Sequence, residues 1–110
     1  MMRLIRPTVL ALAAVTLFCS SAVAVVTGPI SQVIPLDNRN CSFFSLQGVI
    51  TADPIRPGSP WIAVPNTAVG YRETMAFIYL AKATGLTVLV ETDGTLVCGY
   101  PRLLRIYNLP

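Results

Sequence analysis

Met75-Ala76-Phe77-Ile78-Tyr79-Leu80-Ala81-Lys82-Ala83-Thr84-Gly85-Leu86-Thr87-Val88-Leu89-Val90 contains a change of period, and that change sets the fold. Up to Thr84 the residues are good helix formers with no proline, and Gly85 stands where a left-handed residue ends a helix. From Leu86 onward, Leu86, Val88 and Val90 alternate with Thr87, Leu89 and Glu91, the period of a strand. A helix is expected from a cap at Asn66 or Thr67 to about Thr84. Met75 to Ala81 are seven consecutive apolar residues and cover the whole helix circumference, so a face left over after packing on a sheet needs a second cover. A neighbouring subunit meeting Arg72, Met75, Ala76 and Tyr79 is one candidate; the alternative is that Ala76 and Tyr79 face solvent as single apolar residues do.

Working outward, Asp93-Gly94 is a strong two-residue hairpin signal, with Thr95 to Cys98 as the return strand. Such a turn places Leu89 beside Cys98 and Val90 beside Val97. Gly99-Tyr100-Pro101 reads as a kink, after which alternation resumes from Leu103 to Leu109. Upstream of the helix, Trp61 to Val64 is a short strand closed by Pro65. Ala52 to Pro60 holds three prolines, which remove three ladder donors, so it is an exposed loop. Cys41 to Thr51 places Phe44, Leu46 and Ile50 on one side of a half-buried strand, with Gly48 as a bulge or a close backbone approach. Ile30 to Leu36 is a further strand, confined to a sheet edge by Pro29 and Pro35. The order strand, strand, strand, helix, strand, strand is mostly β with one helix. It is the connectivity of an OB-fold-like five-stranded Greek-key barrel. The alternative is an α+β domain with the helix packed on an antiparallel sheet.

The N-terminus bears on every whole-chain number. Arg3 and Arg6, the apolar run Thr8 to Phe18 and the small residues Ala22-Val23-Ala24 have the pattern of a cleaved signal peptide over residues 1–24. An uncleaved anchor is the competing reading, but Ser20 and Ser21 interrupt the run before the cleavage site. Residues 25–110 then form a single domain with no membrane span, in a secreted or periplasmic protein. The net charge falls from +3 to near neutral, because Arg3 and Arg6 leave with the signal. The remaining charges alternate in sign, whereas phosphate binding needs clustered cations, so nucleic acid is not an expected partner. Cys19 leaves as well, and Cys41 and Cys98 form an even pair in an oxidising compartment, where a disulfide is the default.

The chain contains no histidine, which removes Ser-His-Asp and Cys-His nucleophile pairs and histidine-containing zinc sites. Glu91 and Asp93 flank a turn instead of converging across a cleft. No glycine-rich phosphate loop occurs. No enzyme activity, cofactor or metal is expected. What remains is recognition by amphipathic aromatics with polar tips. Tyr100, in its kinked loop, is the first candidate, with Trp61 as either a binding or a core residue, and with Arg56 and Asp53 adding hydrogen bonds from the proline-rich loop.

The segments Trp61-Ile62-Ala63-Val64-Pro65, Gly70-Tyr71-Arg72-Glu73-Thr74-Met75, Ala81-Lys82-Ala83-Thr84-Gly85-Leu86-Thr87-Val88 and Cys98-Gly99-Tyr100 resemble small secreted bacterial proteins related to the B subunits of subtilase-type and pertussis-like cytotoxins. The resemblance runs from Trp61 to Leu109. It implies an OB-fold subunit that assembles into homo-oligomeric rings and binds host glycans. It carries over no sugar-contacting residue, because the N-terminal half has no residue-by-residue match. Two functions follow as expectations: a secreted, non-enzymatic binding subunit recognising a glycan or a protein partner, or a small envelope protein with a structural or inhibitory role and no sugar binding.

Overall fold

The computed structural model describes residues 23–110; the expected signal segment, apart from its last two residues, and Cys19 lie outside them. Five strands and one helix follow in the order β1 (Ala24–Ile34), β2 (Cys41–Leu46), β3 (Ile62–Pro65), α1 (Tyr71–Thr84), β4 (Thr87–Val97) and β5 (Tyr100–Asn108). The strands close into a ring, β1-β2-β3-β5-β4 and back to β1. The fold is mostly β with one helix, and the helix stands between the third and fourth strands as expected. The ring closes through one parallel contact, Ala63 opposite Arg102; every other strand pair is antiparallel.

β1 is not an edge strand. Its first half, Ala24 to Pro29, pairs with β4, and its second half, Ile30 to Ile34, pairs with β2. The change of partner is made at Gly28-Pro29, where the missing proline N–H falls at the end of one ladder and so leaves the strand intact. Gly28 has φ 147°, and a Cβ there would stand 3.1 Å from the Gln47 carbonyl oxygen, so a side chain would collide with the turn after β2. The Gln47 N–H closes the corner by donating to the Pro29 carbonyl at 2.9 Å.

β2 also departs from the half-buried strand its alternation predicts. All six of its residues are buried. Phe44 and Leu46 join Ile30, Ile62, Val64, Val88 and Val90 in the main core. Cys41 and Phe43 join Ala63 in a second cluster, against which Trp61, Val97, Cys98 and Tyr100 pack. Phe43 is apolar on the side where alternation calls for a polar residue, and that second apolar side is covered too. The strand stops at Leu46 instead of Thr51, because the Val49 N–H returns to the Leu46 carbonyl at 3.3 Å in a turn. Gly48 supplies the positive φ of that turn and meets no neighbour, so it is neither a bulge nor a close approach. Ile50 is consequently exposed.

α1 begins at Tyr71, later than an Asn66 or Thr67 cap would start it. Residues 65–71 first make two tight turns, Ala68 N–H to Pro65 O and Tyr71 N–H to Ala68 O, and the N-cap is Gly70 with no side-chain cap. Its end is as expected: Gly85 has φ 68°, and its N–H and that of Leu86 both reach the Ala81 carbonyl. Met75, Ile78 and Ala81 face the main core, whereas Ala76, Tyr79 and Leu80 face outward.

The β4–β5 hairpin turns at Cys98-Gly99 and not at Asp93-Gly94. Cys98 and Gly99 have φ of 53° and 83°, positive at both central positions of a two-residue turn, as a type I′ hairpin requires. Val97 and Tyr100 flank it as partners. Leu89 and Val90 therefore lie opposite Tyr107 and Ile106, not opposite Cys98 and Val97. Asp93-Gly94 is a bulge within β4: the ladder steps from Thr92–Leu103 to Leu96–Pro101, so β4 carries extra residues there. The Asp93 carboxylate holds the bulge by accepting from the N–H and Oγ1 of Thr95 at 2.9 and 2.6 Å.

Cys41 and Cys98 form a disulfide with Cα atoms 6.6 Å apart, joining the first residue of β2 to the hairpin tip. It closes a long loop, for which the chain-entropy model gives roughly 4 kcal/mol of stabilisation. Reduction, or Cys98→Ser, is expected to lower the free energy of unfolding by an amount of that order and so to move the denaturant midpoint down; an unchanged midpoint after verified reduction would contradict this.

Candidate functional site

The disulfide fixes the positions of the side chains around it. Phe43 on β2 and Tyr100 at the start of β5 pack beside the bridge, and their rings meet edge to face, 5.4 Å between centroids. Arg39, two residues before Cys41, lays its guanidinium 4.5 Å from the Phe43 ring centroid and 6.0 Å from that of Tyr100. Arg56 approaches the Tyr100 ring at 4.4 Å. Trp61, just before β3, and Ile34, at the end of β1, complete the walls. A small cleft of about 40 Å³ is lined by Ile34, Arg39, Phe43, Trp61 and Tyr100. Ile34 and Trp61 also line a larger groove of about 440 Å³, together with Ser31, Gln32, Val33 and Lys82.

Each cation is placed by local backbone chemistry. In the turn between β1 and β2, the Asp37 carboxylate accepts from the Arg39 backbone N–H at 2.8 Å and from its Nε and Nη2 at 2.9 and 2.7 Å. This paired fork holds the Asp37 carboxyl below the usual aspartate range, chiefly through the side-chain hydrogen bond, and raises Arg39 in turn. Arg56 is placed by the proline-rich loop, which closes on itself: the Ala52 N–H donates to Ser59 O, the Arg56 N–H to Asp53 O, and the Gly58 N–H to Thr51 Oγ1.

Asp53 is the residue that holds that loop, and it does not line the cleft. It is buried, accepts from the Ile55 N–H at 2.9 Å and from the Thr92 hydroxyl at 2.5 Å, and so ties the loop to β4. Its expected role as a ligand contact is corrected accordingly, because both carboxylate oxygens are engaged inside the fold. Met75 is likewise corrected from a subunit-interface candidate to a core residue. Arg72, Ala76 and Tyr79 are exposed on α1. Tyr100, Trp61 and Arg56, which come from three separate segments, are brought together. Trp61 is half-buried; it packs on the second cluster and lines both cavities.

Sequence reasoning missed Arg39, Phe43, Ile34 and Lys82. Phe43 was legible, because the side chain two positions along β2 from Cys41 projects to the side of the bridge, whereas Arg39 lies in the turn before β2, where alternation does not apply. Ile34 and Lys82 depend on how β1 and α1 cross, for which the sequence has no local signal. Lys82 Nζ donates to the Ser31 carbonyl at 3.1 Å, at the bulge where β1 skips a residue between Ile30 and Gln32.

Among the described residues no group of three or more histidine, cysteine, aspartate or glutamate side chains could hold a metal ion, and no helix is long and apolar enough to cross a membrane. Comparison with protein-family models, with curated proteins and with solved structures finds no match in any of the three.

A depressed carboxyl value makes the Asp37–Arg39 contribution complete above the ordinary aspartate range and lost as pH falls through the folded value. An NMR titration of the Asp37 carboxyl is expected to give a midpoint below the ordinary aspartate value, restored upward in Arg39→Gln. Identical midpoints in the two proteins would show that the fork is not formed in solution.

Proposed function

We propose that this chain is an exported, non-enzymatic recognition module of OB-fold type, and that the cleft of Trp61, Tyr100, Phe43, Arg39 and Arg56 is its binding surface for a glycan or a protein partner. The observation that carries the reading is the convergence of Tyr100, Trp61 and Arg39, from a hairpin tip, a strand start and a turn, on one cleft beside the disulfide, with Arg56 packed on the Tyr100 ring. Aromatic faces flanked by guanidinium groups offer stacking area with directional donors, the composition of a ligand site more than of plain packing. The disulfide is compatible with export. The resemblance of residues 61–109 to toxin B subunits adds the glycan branch.

A glycan array probed with the oxidised protein and with Tyr100→Ala tests it. Selective binding, reduced about tenfold or more by the substitution, is expected of the glycan branch, since a stacking aromatic contributes about 1 kcal/mol or more. No binding by a correctly folded sample removes that branch and leaves the envelope protein that meets a single protein ligand.

A further inference from the structure

We propose that the groove along the second half of β1 receives an extended acidic peptide segment, with one carboxylate at Lys82 and another at Arg56. The proposal rests on the cleft being a recognition surface and specifies what it recognises.

Shape is the first observation. Four consecutive residues, Ser31, Gln32, Val33 and Ile34, line the larger groove, so it runs along a strand, and at Ile34 and Trp61 it passes into the small cleft. Three steps of extended chain separate Ser31 from Ile34, which makes the groove about 10 Å long between those two positions. A ligand that follows it is itself extended.

Charge is the second observation. Of the six cations on the described residues, Arg39, Arg102 and Arg105 are committed to Asp37, Asp93 and Glu91 at 2.7, 3.6 and 2.7 Å. Arg56, Arg72 and Lys82 have no carboxylate within ion-pair distance among the described residues; of these, Lys82 lines this groove and Arg56 packs on Tyr100, a wall of the small cleft into which the groove passes. Lys82 is at its Ser31 end, bonded only to a neutral carbonyl. Arg56 is beyond its Ile34 end, over the Tyr100 ring. Four of the five carboxylates are engaged elsewhere: Asp37 with Arg39, Asp53 buried against Thr92, and Glu91 and Asp93 paired on β4 and β5; Glu73, in the first turn of α1, forms no ion pair with either cation. Groove and cleft together therefore have Lys82 on one side, Arg56 on the far side of Tyr100, and the apolar side chains Val33, Ile34 and Trp61 between. Their complement is an extended chain that carries an acidic residue toward each end and an apolar side chain between them. Arg56 gives the carboxylate a planar fork already held over an aromatic face.

Trp61 is the sole tryptophan of the chain and lines both cavities, so its fluorescence reports occupancy directly. The probe is the N-acetylated, C-amidated peptide Glu-Ser-Leu-Ser-Glu, titrated into the oxidised protein beside its Gln-Ser-Leu-Ser-Gln counterpart. Saturable change in Trp61 emission is expected with the acidic peptide. Binding should weaken about tenfold or more with the neutral peptide or in Arg56→Gln, several-fold in Lys82→Gln, and little in Arg105→Gln, which removes a charge away from the groove. It should also weaken as salt rises, because both cations are exposed. Equal binding of the acidic and neutral peptides, or an equal loss in Arg56→Gln and Arg105→Gln, would overturn the proposal. Saturable binding of an array glycan that depends on Tyr100, with no response to the acidic peptide, would overturn the peptide proposal and leave the recognition reading standing. No response to either class, from a sample with native far-UV circular dichroism, overturns the peptide proposal and the glycan branch together.

Discussion

The Cys41–Cys98 bridge is the constraint on which the rest of this structure depends. It ties the start of β2 to the tip of the β4–β5 hairpin across 6.6 Å between Cα atoms, on the outer side of the sheet where no helix lies. A ring of five short strands buries one interior well, and here Phe44, Ile62, Val64, Ile78, Val88 and Val90 fill it. The outer side of β2 has no such cover of its own. Phe43 and Ala63 remain fully buried there because Tyr100, on the bridged hairpin, and Trp61, at the start of β3, pack against them. A domain of this size has little stability to spare, and a covalent tie supplies part of what a small core cannot.

The same tie builds the site. Phe43 and Tyr100 pack beside the bridge, Arg39 reaches their rings from the turn where Asp37 holds it, and Arg56 meets Tyr100 from the loop that Asp53 anchors to Thr92. Stability and recognition thus share one set of contacts. The buried carboxylate of Asp53 acts through the loop, by holding the backbone from which Arg56 extends. The corner at Gly28-Pro29 contributes from the other side: by turning β1 from β4 to β2, it carries Ser31 to Ile34 alongside Trp61 and opens the groove.

Much of this was legible in the sequence, and the errors have definite physical sources. The change of period at Gly85 marks the helix end and the fourth strand, and the element order follows. Local turn signals were less dependable: Asp93-Gly94 has the composition of a hairpin turn, yet Cys98-Gly99 makes it, because the bridge fixes Cys98 at the tip while Thr95 satisfies Asp93 within a bulge. Prolines in β1 read as an edge signal, although a strand that changes partners can place a proline where one ladder ends. Three of the four ligand candidates came together, whereas Asp53 turned inward, a fate decided by Thr92, thirty-nine residues away. Contacts at that separation leave no trace in local pattern.

The central claim is that the disulfide, and not the ring alone, assembles the cleft. Nuclear Overhauser spectra of the protein, oxidised and then reduced, test it most directly. The account predicts cross-peaks between the Phe43 and Tyr100 ring protons in the oxidised protein and their loss on reduction, and it is contradicted if those cross-peaks persist undiminished once the bridge is open.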